Sequence, residues 1–185
     1  MTRAISWTRV GDRDQGLEHL LLGETSADGV VLAFDEHGRP FRLGYQLTWD
    51  ASWRVRDARL VVTTEHGMRT LRLESDGKGR WRDGDARARP ELDGCIDLDI
   101  WPTPFTNTFP IRREPMAVGE RRAFVVAWVA APELTVRAAR QAYTRLADRR
   151  YRFEGLDGDG FRAELSVDAD DVVVDYEGLF RRVVT

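Results

Sequence analysis

Apolar and polar residues alternate with a period of two along most of this chain. In RTLRLES, residues 69–75, Leu71 and Leu73 share one face while Thr70, Arg72 and Glu74 share the other. In YRFEGL, residues 151–156, Tyr151 and Phe153 lie opposite Arg152 and Glu154. Successive side chains of a strand point to opposite faces, so this period predicts sheet with one wet side. The same pattern recurs in AISWTRV, GVVLAF, LGYQLTW, ARLVVTT, CIDLDIW, FVVAWVA, FRAELSVD and DVVVDYEGLF. Among these segments stand Asp28-Gly29, His37-Gly38, His66-Gly67, Asp76-Gly77, Asp83-Gly84, Asp93-Gly94, Asp157-Gly158 and Asp159-Gly160. Each pair supplies a residue that tolerates positive φ, as hairpin turns require. Short strands punctuated in this way predict an all-β barrel, roll or sandwich.

One segment fits two periods. In PELTVRAARQAYTRLADRR, residues 132–150, Leu134, Ala138, Tyr143 and Leu146 follow a helical stripe, while Leu134, Val136 and Ala138 also alternate as a strand would. Both a helix and a long strand remain open there, so the chain carries at most one short helix. No Ser/Gly/Pro-rich linker, repeat or low-complexity tract interrupts it, and residues 1–185 are expected to form a single domain.

Composition narrows the choice of partners. Charged residues make up 32% of the chain, yet the net charge is only −3, so no large field of one sign is expected to attract nucleic acid or an anionic membrane. Every one of the 28 basic residues except Lys78 is arginine. Codon bias accounts for this more simply than a surplus of anion contacts. The single cysteine, Cys95, excludes an intrachain disulfide and suits a reducing compartment. The N-terminal stretch lacks the apolar core of a signal peptide, and no run approaches the roughly 18 apolar residues that span a bilayer. A cytoplasmic protein without stable membrane insertion is expected.

Catalytic motifs are absent: there is no Walker loop, no Gly-x-Ser-x-Gly elbow and no dinucleotide fingerprint. His19, His37 and His66 are scattered, and two of them precede turn glycines. Cys95, at the start of a strand, reads as a small buried hydrophobe. The stretch CIDLDIWPTPFTNTFPIRR, residues 95–113, is the least ordinary part of the sequence. Ile96, Leu98 and Ile100 alternate with Cys95, Asp97 and Asp99, which puts two carboxylates about 7 Å apart on one face. They are candidates for a cation site, an acid/base pair, a solvated strand face, or a pairing with Arg112 or Arg113. Pro102, Pro104 and Pro110 end the strand near Trp101. Thr106, Asn107 and Thr108 are suited to bonding back to nearby main chain and fixing a corner. That corner reads equally as a structural plug and as the lip of a site. Six tryptophans, Trp7, Trp49, Trp53, Trp81, Trp101 and Trp128, would serve a core, or line a concave surface suited to an acyl chain or a sugar face.

GCIDLDIWPTPFTNTFPIRR, with GRWRDGD upstream and RQAYTRLADRRYRFE and VDADDVVVDYEGLFRRV downstream, resembles the putative glycolipid-binding family of bacterial proteins. The resemblance runs from about Trp7 to Val183. It departs from the family pattern at Phe109, where leucine is usual, and at Tyr176-Glu177-Gly178, where Tyr-Pro-Gly is usual. It implies a spiral β-roll, an open, curved antiparallel half-barrel similar in shape to carriers of lipoproteins. The family brings no catalytic residues, no metal and no cofactor. Thr106, Thr108, Pro110 and Ile111 are motif positions here, as are Trp81, Asp97, Asn107, Arg112, Arg113, Gln141 and Tyr143, and these last seven become the expected ligand-binding set.

The expected function is therefore non-enzymatic binding of an amphipathic small molecule, a glycolipid or other acyl compound. Its tail would lie in a concave groove and its head near Asn107, Arg112 or Arg113. Two rival readings are a hydrolase or isomerase that uses Asp97 or Asp99 with an arginine, and a structural or protein-interaction module whose groove is filled by its own tryptophans.

Overall fold

Among the described residues, fourteen strands hydrogen-bond into one open, curved sheet. The computed structural model of the chain describes residues 2–11, 16–158 and 160–183. The chain starts in the middle of the sheet and meanders to one edge through β1 (Arg3–Arg9), β2 (Leu17–Leu22), β3 (Ser26–Phe34), β4 (Pro40–Trp49), β5 (Val55–Thr64), β6 (Gly67–Ser75) and β7 (Trp81–Asp83). Residues 84–96 then carry it to the opposite edge, where β8 (Asp97–Trp101) lies. A corner follows, containing the six-residue helix α1 (Thr108–Arg113). From there β9 (Arg121–Ala130), β10 (Thr135–Ala147), β11 (Arg150–Gly155), β12 (Arg162–Val167), β13 (Val173–Tyr176) and β14 (Phe180–Arg182) lead back until β14 pairs with β1.

The all-β expectation holds, with one departure from an antiparallel sheet. β8 and β9 are parallel, Asp97 opposite Val126 and Asp99 opposite Trp128. Parallel neighbours need a crossover, and the corner with α1 supplies it. Residues 132–150 resolve as the strand β10. Its helical look came from apolar residues on both faces, Ala139 and Tyr143 on one and Val136, Ala138 and Ala142 on the other. The sheet curls until its ends meet. The Gly94 N–H donates to the Gly79 carbonyl at 2.8 Å, and the Trp81 indole N–H donates to the Cys95 carbonyl at 2.7 Å.

This curl leaves β8 with both faces covered. Leu98 and Ile100 pack into a core shared with Trp7, Leu43, Leu60 and Trp81. Their neighbours Asp97 and Asp99 point to the other side, where Phe124, Val126, Tyr143 and Phe153 belong to a second core. The two-residue period on β8 therefore marks two buried faces, and the solvated-face reading of Asp97 is overturned: its side chain is fully buried.

Two further sequence expectations change. Asp28-Gly29 is not a hairpin turn but lies within β3. A Cβ on Gly29 would fall 2.1 Å from the Tyr45 ring, so the glycine makes room for that side chain. Asp159 lies outside the described residues. The strand β2 carries leucines on both faces, Leu17 and Leu21 exposed and Leu20 and Leu22 buried beside Glu18, which hid its alternation. Tyr45 crosses above Gly29 to donate its hydroxyl to Glu18 Oε1 at 2.5 Å, and the Thr103 hydroxyl donates to the same oxygen at 2.7 Å. Among the described residues, Glu18 Oε2 has no hydrogen-bond partner. Burial pushes the Glu18 carboxyl up to about 7, against the two donated bonds.

A carboxyl raised from 4.5 to about 7 favours the protonated, folded state below pH 4.5, and that advantage is lost as pH rises through 7. The shift corresponds to about 3 kcal/mol. Glu18→Gln, which mimics the protonated form, should gain that amount relative to wild type between pH 4.5 and pH 8 in urea-unfolding curves. A difference that stays flat with pH would mean Glu18 is charged throughout.

Candidate functional site

The corner after β8 folds as its composition dictates. The Thr103 hydroxyl accepts the Phe105 N–H, the Asn107 side-chain amide donates to the Pro104 carbonyl, and the Thr106 hydroxyl accepts the Ile100 N–H. Pro110 falls in the first turn of α1, where its missing N–H has no intrahelical partner to lose. Phe105 and Phe109 pack with Trp49 at ring separations of 6.1 and 5.5 Å. The corner is thus a buried plug between the two cores. Arg112 and Arg113 form the last turn of α1.

Each β8 carboxylate receives its own partners from this corner. Arg113 donates to both Asp97 oxygens, at 3.0 Å through Nε and 2.7 Å through Nη2. Burial pushes the Asp97 carboxyl upward, and the two guanidinium bonds and charge oppose it. Asp99 Oδ1 accepts the Thr106 hydroxyl at 2.8 Å, and Oδ2 accepts the Gln141 side-chain amide at 2.5 Å. Its carboxyl is also pushed up by burial, more than these bonds lower it. Tyr143 donates its hydroxyl to Asn107 Oδ1 at 2.7 Å.

Asp99, Gln141, Asn107 and Thr103 form the polar floor of a cavity of about 260 Å³. Its walls are Trp101, Trp128, Phe153, Phe161, Tyr176 and Phe180. Arg137 and Arg140 stand at its rim, Arg140 held by Asp157 at 2.9 Å. Gly155, opposite Gln141 on β11, keeps one wall open: a Cβ there would meet nothing closer than 3.7 Å. A shallower depression of about 590 Å³ lies on the outer face among Leu17, Leu32, Phe34 and Arg42, but few polar side chains converge on it.

The expected binding residues divide. Asn107 and Gln141 line the cavity, and Tyr143 sits behind it as a buttress. Asp97 and Arg113 form the buried ion pair next to it. Arg112 stacks on Trp53, 4.4 Å from the ring centroid, and donates to the Asp170 carbonyl. Trp81 belongs to the other core. Trp101 and Trp128 are the two of the six tryptophans that line this cavity, whereas Arg137, Phe153, Gly155 and Tyr176 did not stand out in the sequence as site residues. The signal for Arg137 and Gln141 was their even spacing on a strand, masked by the doubtful period of residues 132–150. Cys95 is buried and its thiol pushed up to about 11 by desolvation first, so it stays protonated. Among the described residues, no group of three His, Cys, Asp or Glu side chains is placed to hold a metal ion, and no helix is long and apolar enough to cross a membrane.

The family model described as "Putative glycolipid-binding" matches residues 4–182, and the chain belongs to that family. The crystal structure of a DUF1089 family protein from Pseudomonas aeruginosa is 48% identical, with a TM-score of 0.88 over 91% of this chain and 92% of that one. No curated protein matches the chain.

Removing one partner of a buried ion pair strands the other charge, at a cost of about 3–5 kcal/mol. Arg113→Met should destabilise the fold by that amount in denaturant unfolding, and adding Asp97→Asn should restore part of it. A double variant no more stable than Arg113→Met would show that the pair is not coupled.

Proposed function

We propose that this chain binds an amphipathic molecule without transforming it, and that the cavity floored by Asp99 and Gln141 receives a hydroxylated ring of its polar head. The observation that carries this reading is the combination of aromatic walls with a floor of fixed hydrogen-bonding groups. Aromatic faces pack against the apolar C–H face of a sugar ring, while carboxylate and amide groups bond to its hydroxyls. These floor groups already hold one another in place, so little ordering accompanies binding. The volume supports a head and not a whole lipid: it lies just below the roughly 300–1,000 Å³ of pockets for drug-sized ligands. The hollow of the N-terminal half is filled by Trp7, Trp49, Trp81, Phe105 and Phe109. An acyl tail would therefore leave by the cavity mouth. The family description, glycolipid binding, agrees with such a ligand.

One observation favours an enzymatic reading, the raised Asp99 carboxyl inside an aromatic pocket. Against it, Asp97 is held by Arg113, and both Asp99 oxygens already accept hydrogen bonds. Incubation with nitrophenyl glycosides should release no nitrophenol above background; release abolished by Asp99→Asn would establish the enzymatic reading instead.

Gly155→Leu tests the binding reading, because its side chain fills the cavity from a position with room for it. Short-chain alkyl glycosides should bind wild type, and the variant should lose about 1–3 kcal/mol, or roughly five- to 150-fold, in calorimetric titration. Binding that is absent from wild type, or unchanged by Gly155→Leu, overturns the reading.

A further inference from the structure

Arg137 stands on the same face of β10 as Ala139 and Gln141, at the outer end of a row that begins with the buried Tyr143. Its register partner on β9 is Trp128, which also lies opposite Asp99 on β8. A carboxylate, an indole and a guanidinium thus succeed one another across three neighbouring strands on one wall of the cavity. Two strand spacings, about 10 Å, separate the backbones of Asp99 and Arg137. That is about the reach of one sugar ring with its substituents.

The guanidinium of Arg137 lies over the Trp128 ring, 4.6 Å from its centroid. Stacking engages the flat face of the guanidinium and leaves the N–H edge free to donate. Among the described residues, the guanidinium's only hydrogen bond is a long one, 3.4 Å, to the Ala138 carbonyl. Among the described residues it makes no ion pair, whereas Arg140 is bound by Asp157 through both its backbone N–H and its side chain. Arg137 is therefore a stacked cation with its N–H edge open at the mouth of a pocket whose floor accepts hydroxyls, and the Asp157 carboxylate reaches it through space and not by a direct contact.

We infer that the ligand's head is an anionic sugar, its ring hydroxyls at Asp99 and Gln141 and its carboxylate or phosphate at Arg137. This rests on the binding reading of the cavity. The planar guanidinium edge matches both anions in bidentate fashion. Burial also raises the Asp99 carboxyl, which lessens the repulsion an anionic ligand would meet at the floor.

Calorimetric titration with octyl β-glucoside, octyl β-glucuronide and free glucuronate tests this in wild type, Arg137→Gln and, as a control at the exposed start of β6 that does not line the cavity, Arg69→Gln. Octyl glucuronide should bind roughly five- to tenfold more tightly than octyl glucoside, the worth of one charge-assisted bond at a solvent-exposed mouth. The margin should vanish in Arg137→Gln, persist in Arg69→Gln, and shrink with added salt. Free glucuronate binding as tightly as the octyl form assigns the site to a free sugar acid; weaker binding assigns it to a glycolipid head, and both keep the anionic head. Equal affinities for the two octyl glycosides, or a margin that survives Arg137→Gln, overturn the inference and leave the cavity reading standing. If neither octyl glycoside binds wild type, the cavity reading falls and takes this inference with it.

Discussion

The structure depends on how two carboxylates are kept on a strand that has no wet face. β8 lies between two hydrophobic cores, so Asp97 and Asp99 cannot be solvated as they would be on an ordinary edge strand. An unpaired charge there would be prohibitive. Asp97 is answered by a bidentate arginine, and Asp99 by a hydroxyl and an amide. Three of these four bonds come from the corner between β8 and β9, so satisfying the carboxylates also fixes the crossover that makes this pair parallel.

The cavity is a by-product of that arrangement. Asp99 sits where the second core stops being filled, with Gly155 in place of a side chain on the facing strand. Its partners Thr106 and Gln141, and the Tyr143–Asn107 bond beside them, hold the floor without any ligand. The other half of the sheet reaches the same floor through Glu18, whose bond from Thr103 joins β2 to the corner. A buried carboxyl in β2 and the lining of a pocket formed by β8, β10 and β11 are thus mechanically linked.

Much of the fold was legible because strand alternation and Asp-Gly turns are local signals. Leu71 with Leu73, or Tyr151 with Phe153, announce their strands without help from the rest of the chain. The unusual corner was also visible, through three prolines and a Thr-Asn-Thr run. Where both faces of a strand are buried, alternation ceases to distinguish inside from outside. That is why Asp97 read as a possible wet-face residue and β10 as a possible helix. β2 escaped notice because leucines stand on both of its faces and a glutamate lies among the buried ones. Gly29 imitated a turn because a glycine needed for a tyrosine to pass looks the same in sequence as one needed for positive φ. The site itself was legible only in part. Asn107 and Gln141 belong to the family motif, but the aromatic walls come from five separate strands and one loop whose meeting is a property of the curl, which no local pattern encodes.

A crystal structure of the chain with a bound octyl glycoside would test the central claim most directly, that the buried carboxylate clamp also floors a ligand site. The account predicts the sugar ring within hydrogen-bonding distance of Asp99 and Gln141, with the alkyl chain leaving past Trp128. A sugar seated instead beside Arg112, or on the outer face over Leu17 and Leu32 with the cavity vacant, would contradict it.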